Sequence, residues 1–344
     1  MVEFKKVRTF VGVDAHARHC SLKGLSRQGS TELEAEVPTE VEALRKAVKD
    51  LRGPVWAMVE ASAMAAFVKW ALDPVVDRVI VCETRENRWI SHSEEHEDAR
   101  DADKLARLLR MKEFKEVYVP GRDGQELRGL VRLYGKIVQD GTRLKNRIKA
   151  KYREQGVAVS GHGVYEVEGR KAWLDKIDRP TVRLLLEVLY DELDAVEAAG
   201  ERLGRRVSAM LRHRQEFKRV VTVPGFGPVT GAAIVAVIVD PNRFATVRRA
   251  WKYAGLSVRR HSSGDSKEKT GGSFSGNRLL KNAVMVAARR ALQGDNQFSR
   301  HHAQMLGRGL DPAMADKTIA RRLLATALAV WKSGKDYQEP GRTG

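Results

Sequence analysis

The sequence has few of the features that mark secreted or membrane-bound proteins. Its 344 residues include two cysteines, Cys20 and Cys82, which lie in apolar, strand-like stretches and lack metal-ligand spacing. No apolar run approaches the length that spans a bilayer, and residues 1–8 lack the apolar core of a signal peptide. These absences predict reduced core thiols in a cytoplasmic protein that has no membrane partner.

Signatures of nucleotide-dependent enzymes are missing as well. The chain contains neither a P-loop nor the glycine fingerprint of NAD-binding domains. What is abundant is positive charge, because 62 Lys and Arg stand against 44 Asp and Glu and give a net charge of +18. This excess is spread along the whole chain, and phosphates would neutralise it with release of counterions. We therefore favour a nucleic-acid partner over an ordinary basic protein.

Residues 1–118 alternate apolar runs with turn residues and amphipathic stretches. Three runs, at residues 9–14, 20–25 and 31–37, predict an antiparallel meander. The elements expected after it are a helix capped by Thr39, a strand at residues 55–59, an Ala-rich helix, a strand at residues 79–81 and a helix at residues 98–110. This order predicts an α/β domain with the ribonuclease-H topology.

Residues 119–215 carry two apolar stripes with three-four spacing. The first stripe contains Leu127, Leu130, Tyr134, Ile137, Leu144 and Ile148, and the second contains Leu186, Leu189, Leu193, Val196, Leu203, Val207 and Met210. Such stripes are typical of heptad seams, so two long helices should pack as an antiparallel pair or recruit another subunit. Lys145 and Lys149 belong to a basic run on the first helix, which is either a nucleic-acid track or a solvated face.

Residues 216–344 are expected to form a mainly helical third domain. Gly225 and Gly227 lie in a Gly/Pro turn before an Ala/Val-rich helix, whose first amides suit a phosphate. A loop rich in Ser, Gly and basic residues is predicted at residues 259–276, followed by helices at residues 277–292 and 317–331.

Four carboxylates occupy positions that suit a metal site. Asp14 ends the first strand, Glu60 ends the fourth, and Asp98 and Asp101 are three residues apart on one helix face. The ribonuclease-H topology brings these places to one sheet edge, where two Mg²⁺ ions would offset the repulsion between carboxylates and activate an attacking oxygen. Singly, each acid could instead serve a turn or a helix end. The acids at 94, 95, 97 and 103 compete for the helix positions.

Seven short motifs give the chain a resemblance to a known family. They are Val11-Gly12-Val13-Asp14, Val59-Glu60-Ala61-Ser62, Asp98-Ala99-Arg100-Asp101-Ala102, Pro224-Gly225-Phe226-Gly227-Pro228-Val229-Thr230, Tyr253-Ala254-Gly255-Leu256, Ser263-Gly264 and Gly276-Asn277-Arg278. In order and spacing the chain resembles the DEDD transposases of insertion-sequence family one-ten, which are bridge-RNA-guided recombinases. The resemblance covers most of the chain, with His96-Glu97 standing where the family usually has Lys-Thr.

The resemblance implies a RuvC-like domain, a coiled-coil middle segment and a C-terminal transposase domain with a nucleophilic serine. It implies Mg²⁺ ligands at Asp14, Glu60, Asp98 and Asp101, and it assigns the nucleophile to Ser263. Ser262, Ser266, Ser273 and Ser275 are competitors in the same loop. Family members act as tetramers on two DNA duplexes with a structured guide RNA, so a homo-oligomer, a dimer or tetramer, is expected.

Together these observations predict a recombinase of a mobile element that cuts and rejoins DNA. Ser263 would attack a phosphate held by Arg259 and Arg260, and the covalent link would preserve the bond energy for rejoining. Two alternatives stay open. One is a metal-dependent nuclease or junction resolvase in which water attacks, and the other is a basic nucleic-acid-binding protein without catalytic activity.

Overall fold

The computed structural model describes residues 3–83, 98–261, 269–272 and 276–340, and for residues 98–100, 258–261 and 269–272 it describes the backbone. The chain divides into two compact units, residues 1–122 and residues 123–344.

A mixed five-stranded sheet forms the centre of the first unit. Its strands are β1 (Thr9–Ala15), β2 (His19–Ser26), β3 (Thr31–Pro38), β4 (Val55–Glu60) and β5 (Arg78–Cys82). The strand order is β3-β2-β1-β4-β5, with antiparallel pairing among the first three strands and parallel pairing of β1 with β4 and of β4 with β5. The predicted meander and the two later strands are confirmed.

Helices cover both faces of this sheet, because its strands are apolar on both sides. The helices are α1 (Val41–Val48), α2 (Ala65–Leu72) and α3 (Asp98–Met111). Val11 and Val13 of β1 pack with α1 and α2, whereas Phe10 packs with Leu105 and Leu109 of α3. Alternate residues of each strand thus point to opposite layers, and the α/β architecture expected for the N-terminal domain is confirmed.

Thr39 does not cap α1 as the sequence predicted. The helix is preceded by Glu40, and no side chain caps it. The Thr39 hydroxyl instead donates to the His16 carbonyl oxygen at 2.8 Å. Because β3 lies beside β2, the end of β3 reaches the turn between β1 and β2, and Thr39 ties that turn to the sheet.

Two long helices open the second unit, α4 (Arg122–Glu154) and α6 (Pro180–Leu211), with the short α5 (Arg170–Leu174) between them. Tyr152 near the end of α4 lies 3.1 Å from Tyr190 in α6, hydroxyl to hydroxyl. A Cβ atom built on Gly200 would lie 3.3 Å from Ile137 Cγ2. The helices therefore run antiparallel, which was one of the two arrangements that the sequence predicted. The coiled coil itself stays a prediction.

The remaining helices surround a central apolar helix. They are α7 (Gln215–Val220), α8 (Pro228–Ile238), α9 (Val247–Tyr253), α10 (Arg278–Ala291), α11 (Gln297–Gly307) and α12 (Pro312–Ser333). The central helix, α8, is buried from Thr230 to Ile238. Leu127 and Leu211 of the long helices share a core with Ala232 and Ala236 of α8. The predicted division of the chain into residues 1–118, 119–215 and 216–344 stays a prediction. None of the described helices is both long and apolar enough to cross a membrane.

This region differs from the sequence prediction in several elements. Helices α7, α9 and α11 were not predicted, although Asn296 and Ser299 form a capping box at the start of α11. The predicted loop at residues 259–276 contains an antiparallel ribbon of β6 (Val258–His261) and β7 (Lys269–Gly272). The ribbon escaped prediction because Lys, Thr and Gly in β7 have little strand pattern of their own, and pairing with β6 supplies the order.

Candidate active site

Asp14 and Glu60 lie side by side at the ends of two parallel strands. Val13 of β1 is paired with Val59 of β4, so the next residue of each strand is a carboxylate. Side chains alternate along a strand, which puts Asp14 on the face of Gly12 and Glu60 on the face of Met58. Met58 packs with Leu105 of α3, so both carboxylates are on the face of the sheet that α3 covers.

Helix α3 approaches β1 closely at Gly12. A Cβ atom at this position would lie 2.0 Å from the Ala102 carbonyl oxygen and 2.5 Å from the Ala106 nitrogen. Only a glycine permits this contact without displacement of backbone. Asp101 precedes Ala102 and Gly12 is two residues before Asp14, so the contact brings the first turn of α3 to the strand ends.

Asp98 is the first residue of α3, and Asp101 follows one turn later on the same face. Asp101 is one-third exposed, and its Oδ1 lies 2.8 Å from Lys104 Nζ. The side chain of Asp98 lies outside the part of the chain that is described. The structure thus brings Asp14, Glu60 and the start of α3 to one end of the sheet.

The donor set at this end consists of carboxylate oxygens, which are the ligands that Mg²⁺ prefers. Among the side chains described, no three His, Cys, Asp or Glu are grouped closely enough to hold a metal ion. The carboxylates of Asp14, Glu60, Asp98 and Asp101 have the chemistry of ligands for a hard divalent cation, and their joint binding of a metal ion stays a prediction.

His16 contacts one of the candidate carboxylates and was not singled out by the sequence analysis. Its Nε2 lies 2.9 Å from Asp14 Oδ2, and its ring stacks on His19 with centroids 5.3 Å apart. Both histidines lie at the turn between β1 and β2, directly after the carboxylate. The pattern Asp14-x-His16-x-x-His19 was the available signal, because imidazoles beside a strand-end acid can orient it.

Cys82 lies next to Glu60 in the register of β4 and β5. The thiol is free and fully buried. Burial, and to a smaller extent the charge of Glu60, raises the pKa of Cys82 to about 12. The thiol therefore stays protonated and packs as a core residue, consistent with the sequence interpretation of both cysteines as core thiols.

Ser263 lies outside the described residues, in the connection between β6 and β7, and so does its competitor Ser262. The backbone of Arg259 and Arg260 belongs to β6, where Arg260 is paired with Thr270. The predicted nucleophile therefore belongs to the segment of sequence that connects the two strands of a ribbon. The ribbon and this segment are here called the serine hairpin (residues 258–272).

The serine hairpin enters and leaves the helical region at one point, which we call the neck (residues 253–256 and 276–277). Gly276 has φ +148°, and a Cβ atom on it would lie 2.5 Å from Gly255 Cα. The Asn277 amide donates to the Tyr253 carbonyl oxygen at 2.8 Å. The Asn277 side chain accepts from the Leu280 amide and caps α10. Two of the sequence motifs thus build the neck.

Gly225 and Gly227, predicted to meet a phosphate, have packing partners within the protein. A Cβ atom on Gly225, which has φ +86°, would lie 2.1 Å from the Ala287 carbonyl oxygen. The Gly227 amide donates to Thr230 Oγ1 at 2.9 Å. Close approach of the turn between α7 and α8 to α10 explains the first glycine. The contact of either glycine with a phosphate stays a prediction.

Lys145 and Lys149, the predicted nucleic-acid contacts of α4, flank one aromatic ring. Both ammonium groups lie 5.4 Å from the Tyr165 ring centroid. Lys145 also lies 2.7 Å from Glu197 of α6. One of these charges is therefore partly offset within the helix pair, and nucleic-acid binding by either stays a prediction.

Two regions of the chain match models of protein families. Residues 11–154 match the DEDD-type IS110 model described as "Transposase", and residues 217–303 match "Transposase IS116/IS110/IS902 family". Both models describe transposases of the IS110 family, so the two regions are similar to enzymes of DNA recombination. The first match contains all four predicted carboxylates, and the second contains the neck and the serine hairpin.

Curated relatives agree with these matches. A probable family 20 transposase of Pseudomonas aeruginosa is 27% identical over 200 residues, covering 56% of this chain and 58% of the relative. The transposase for insertion sequence element IS1111A of Coxiella burnetii is 25% identical over 207 residues, covering 57% and 55%. A pilin gene-inverting protein of Moraxella lacunata is 29% identical over 122 residues, covering 35% and 38%. The chain spans little more than half the length of the first two.

Proposed function

We propose that this chain is a DNA recombinase of a mobile insertion element, which cuts and rejoins strands with a divalent metal ion and a serine nucleophile. The observation that carries the proposal is the parallel pairing of β1 and β4, which places Asp14 beside Glu60 on the face that α3 covers. The family matches support the same reaction class.

Asp14, Glu60, Asp98 and Asp101 would hold the metal. Mg²⁺, when bound there, supplies positive charge that stabilises the attacking and departing oxygens of phosphoryl transfer. The chain's own contribution is rigidity, because Asp14 and Glu60 are at the ends of buried strands and Asp101 is in the helix turn seated on Gly12. His16 would orient Asp14 through its contact with Oδ2.

Ser263 Oγ would attack a phosphorus atom of the DNA backbone. A bond forms between Oγ and phosphorus, the bond from phosphorus to one bridging oxygen breaks, and the serine proton passes through solvent or a base to the departing oxygen. Attack by a hydroxyl of a second DNA end reverses these steps and releases the serine. Each step forms one phosphate ester bond and breaks one, so no nucleotide cofactor is needed as a source of energy. Arg259 and Arg260 would bind the phosphate oxygens.

A guide RNA would supply sequence specificity, and the protein would then read backbone and shape. The net charge of +18 supports contact with nucleic acid. Such a protein would work at the nucleoid.

Self-association as a dimer or tetramer is also part of the proposal. Exposed apolar side chains on the long helices support it, namely Leu133, Val138, Leu184, Leu185 and Val188. A groove of about 890 Å³, lined by Gly141, Gly200 and Gly204, lies along the same helices. A second copy of α4 and α6 would cover these residues.

The test is a strand-cleavage assay with the full chain, DNA spanning an element end, and RNA transcribed from the flank of the element. The wild type in Mg²⁺ should cut the DNA and yield a covalent protein-DNA band on a denaturing gel. Asp98→Asn should abolish cleavage while binding persists, and Ser263→Ala should abolish the band, whereas Ser262→Ala should only weaken it. Cleavage without any covalent band would support the water-using nuclease, and no cleavage in Mg²⁺ would support a binding protein.

A further inference from the structure

Arg321 of α12 is joined to the neck of the serine hairpin. Its Nε–H donates to the Leu256 carbonyl oxygen at 2.6 Å, two residues before β6 begins. The indole of Trp251 in α9 donates to the Arg321 carbonyl oxygen at 3.0 Å. One edge of the guanidinium is thereby held at the point where the chain leaves the helices for the hairpin.

The charge of Arg321 has no acidic partner within the part of the chain that is described. The side chain is half-buried, and burial lowers the pKa of its guanidinium. Its two terminal nitrogens make no hydrogen bond or ion pair with any described residue. Neither terminal nitrogen is among the described buried nitrogens that lack a partner, so both reach solvent and can receive an anion from outside.

Two other arginines of the same unit have their guanidinium groups paired with carboxylates. Arg170 makes two hydrogen bonds of 2.6 Å to Asp194, and Arg300 lies 2.6 Å from Glu339. In both, the guanidinium fork is satisfied by a carboxylate of the chain. The Arg321 fork has no such carboxylate among the described residues, and the fork geometry suits a phosphate as well as a carboxylate.

We propose that Arg321 binds a phosphate of the DNA backbone at the neck of the serine hairpin, with its Nε–H fixed on Leu256 and its two terminal nitrogens donating to the phosphate oxygens. The identity of the anion rests on the proposed function. The bound phosphate would belong to the strand that the hairpin engages, so Arg321 aligns that strand relative to Ser263.

A purely structural role for Arg321 makes a different prediction from phosphate binding. The log of the association constant falls with log salt by about 0.9 for each phosphate that a protein neutralises on duplex DNA. Loss of a phosphate contact therefore lowers this slope by about one. Loss of a hydrogen bond inside the protein lowers stability and leaves the slope unchanged. Arg321→Gln removes the charge and keeps an N–H donor for Leu256.

The experiment measures binding of the full chain to a fluorescent 30-base-pair duplex of arbitrary sequence, by anisotropy, across a salt series in EDTA and without RNA. Arg321→Gln should lower the slope by about one and weaken binding roughly tenfold at low salt. The matched control is Arg300→Gln, which removes an equal charge whose anion is supplied by Glu339 and which should keep the wild-type slope.

A wild-type slope in Arg321→Gln, or an equal decrease in Arg300→Gln, would overturn the inference. If Arg321→Gln does not fold, the binding of Arg321→Lys is measured instead. Lysine keeps the positive charge and lacks the two terminal nitrogens of the guanidinium. Weaker binding at the wild-type slope supports the phosphate contact, and unchanged affinity overturns it. Because no cleavage occurs in EDTA, these results stand apart from the adduct assay. If the salt slope depends on Arg321 as expected but the wild type forms no covalent protein-DNA adduct, the proposed reaction is wrong and the phosphate contact of Arg321 stands.

Discussion

The strand-end carboxylates and the serine hairpin are positioned in opposite ways. Asp14 and Glu60 end strands whose preceding residues are buried and paired on both sides, so a whole sheet determines where they lie. The serine hairpin is a two-stranded ribbon held by a contact between Gly255 and Gly276 and by two hydrogen bonds at its neck. A two-stranded ribbon alone is marginally stable. The strand ends therefore suit a set of metal ligands with fixed positions. The serine hairpin suits the proposed nucleophile, which would have to reach a DNA strand.

The largest expected effect is on the carboxylates. Glu60→Gln keeps the size of the side chain and removes a charged oxygen, so strand cleavage should fall by about a thousandfold or more. Glu36→Gln, an exposed acid on the outer strand β3, is the matched control and should cleave at the wild-type rate. Cleavage rates on labelled DNA in Mg²⁺ measure both. Equal rates for Glu60→Gln and wild type would remove Glu60 from the site.

The second prediction tests whether the seating of α3 on β1 supports the carboxylate end. Gly12→Ala would put a methyl group 2.0 Å from the Ala102 carbonyl oxygen, so backbone must move and stability should fall by about 3 kcal/mol. Gly129→Ala in α4, which meets nothing within 4 Å, should be neutral or stabilising by up to about 1 kcal/mol. Urea unfolding followed by circular dichroism measures the difference. Similar values for both variants would mean that the close approach carries no such cost.

The third prediction concerns the neck. Gly276→Ala would place a methyl group 2.5 Å from Gly255 Cα and require φ near +148°, which L residues avoid. The hairpin should be displaced, and formation of the covalent adduct should slow about tenfold, as expected for a misplaced reacting group. The matched control is Gly309→Ala, which also places an alanine at a positive φ, +81°, but has no neighbour within 4 Å of the added methyl group. It should form the adduct at the wild-type rate. Adduct formation at the wild-type rate in Gly276→Ala would show that the neck does not position the serine.

The smallest effect is the pH dependence of stability that Cys82 confers. The folded pKa, about 12, lies above the ordinary thiol value, so the folded state keeps a proton that the unfolded state loses. The stabilisation is complete below the unfolded pKa, near pH 8.5, and decreases as pH rises towards the folded value. Between pH 7.5 and 9.5 the wild type should lose about 1 kcal/mol more than Cys82→Ala in urea unfolding. Parallel curves for the two proteins would contradict this assignment.

The carboxylate end was predictable because its signals are local. Each strand is an apolar run that ends at an acid, and the spacing of Asp98 and Asp101 follows from the helical repeat. The same logic found α8 from its Ala/Val composition. It failed for the ribbon of β6 and β7, because β7 has little strand pattern of its own, and for Thr39, whose hydroxyl donates to a turn more than 20 residues earlier.

The sequence by itself determined the five strands of the sheet, the long helices α4 and α6, the apolar helix α8, the places of the acids along β1, β4 and α3, and the basic charge that points to nucleic acid. Only the tertiary structure decided that Asp14 and Glu60 share a face with the start of α3, that His16 contacts Asp14, and that Arg321 lies at the neck. The physical reason is range. Periodicity and capping act within a few residues, whereas these contacts depend on strand register and on the close approach of backbones at Gly12, Gly255 and Gly276, which no local pattern encodes.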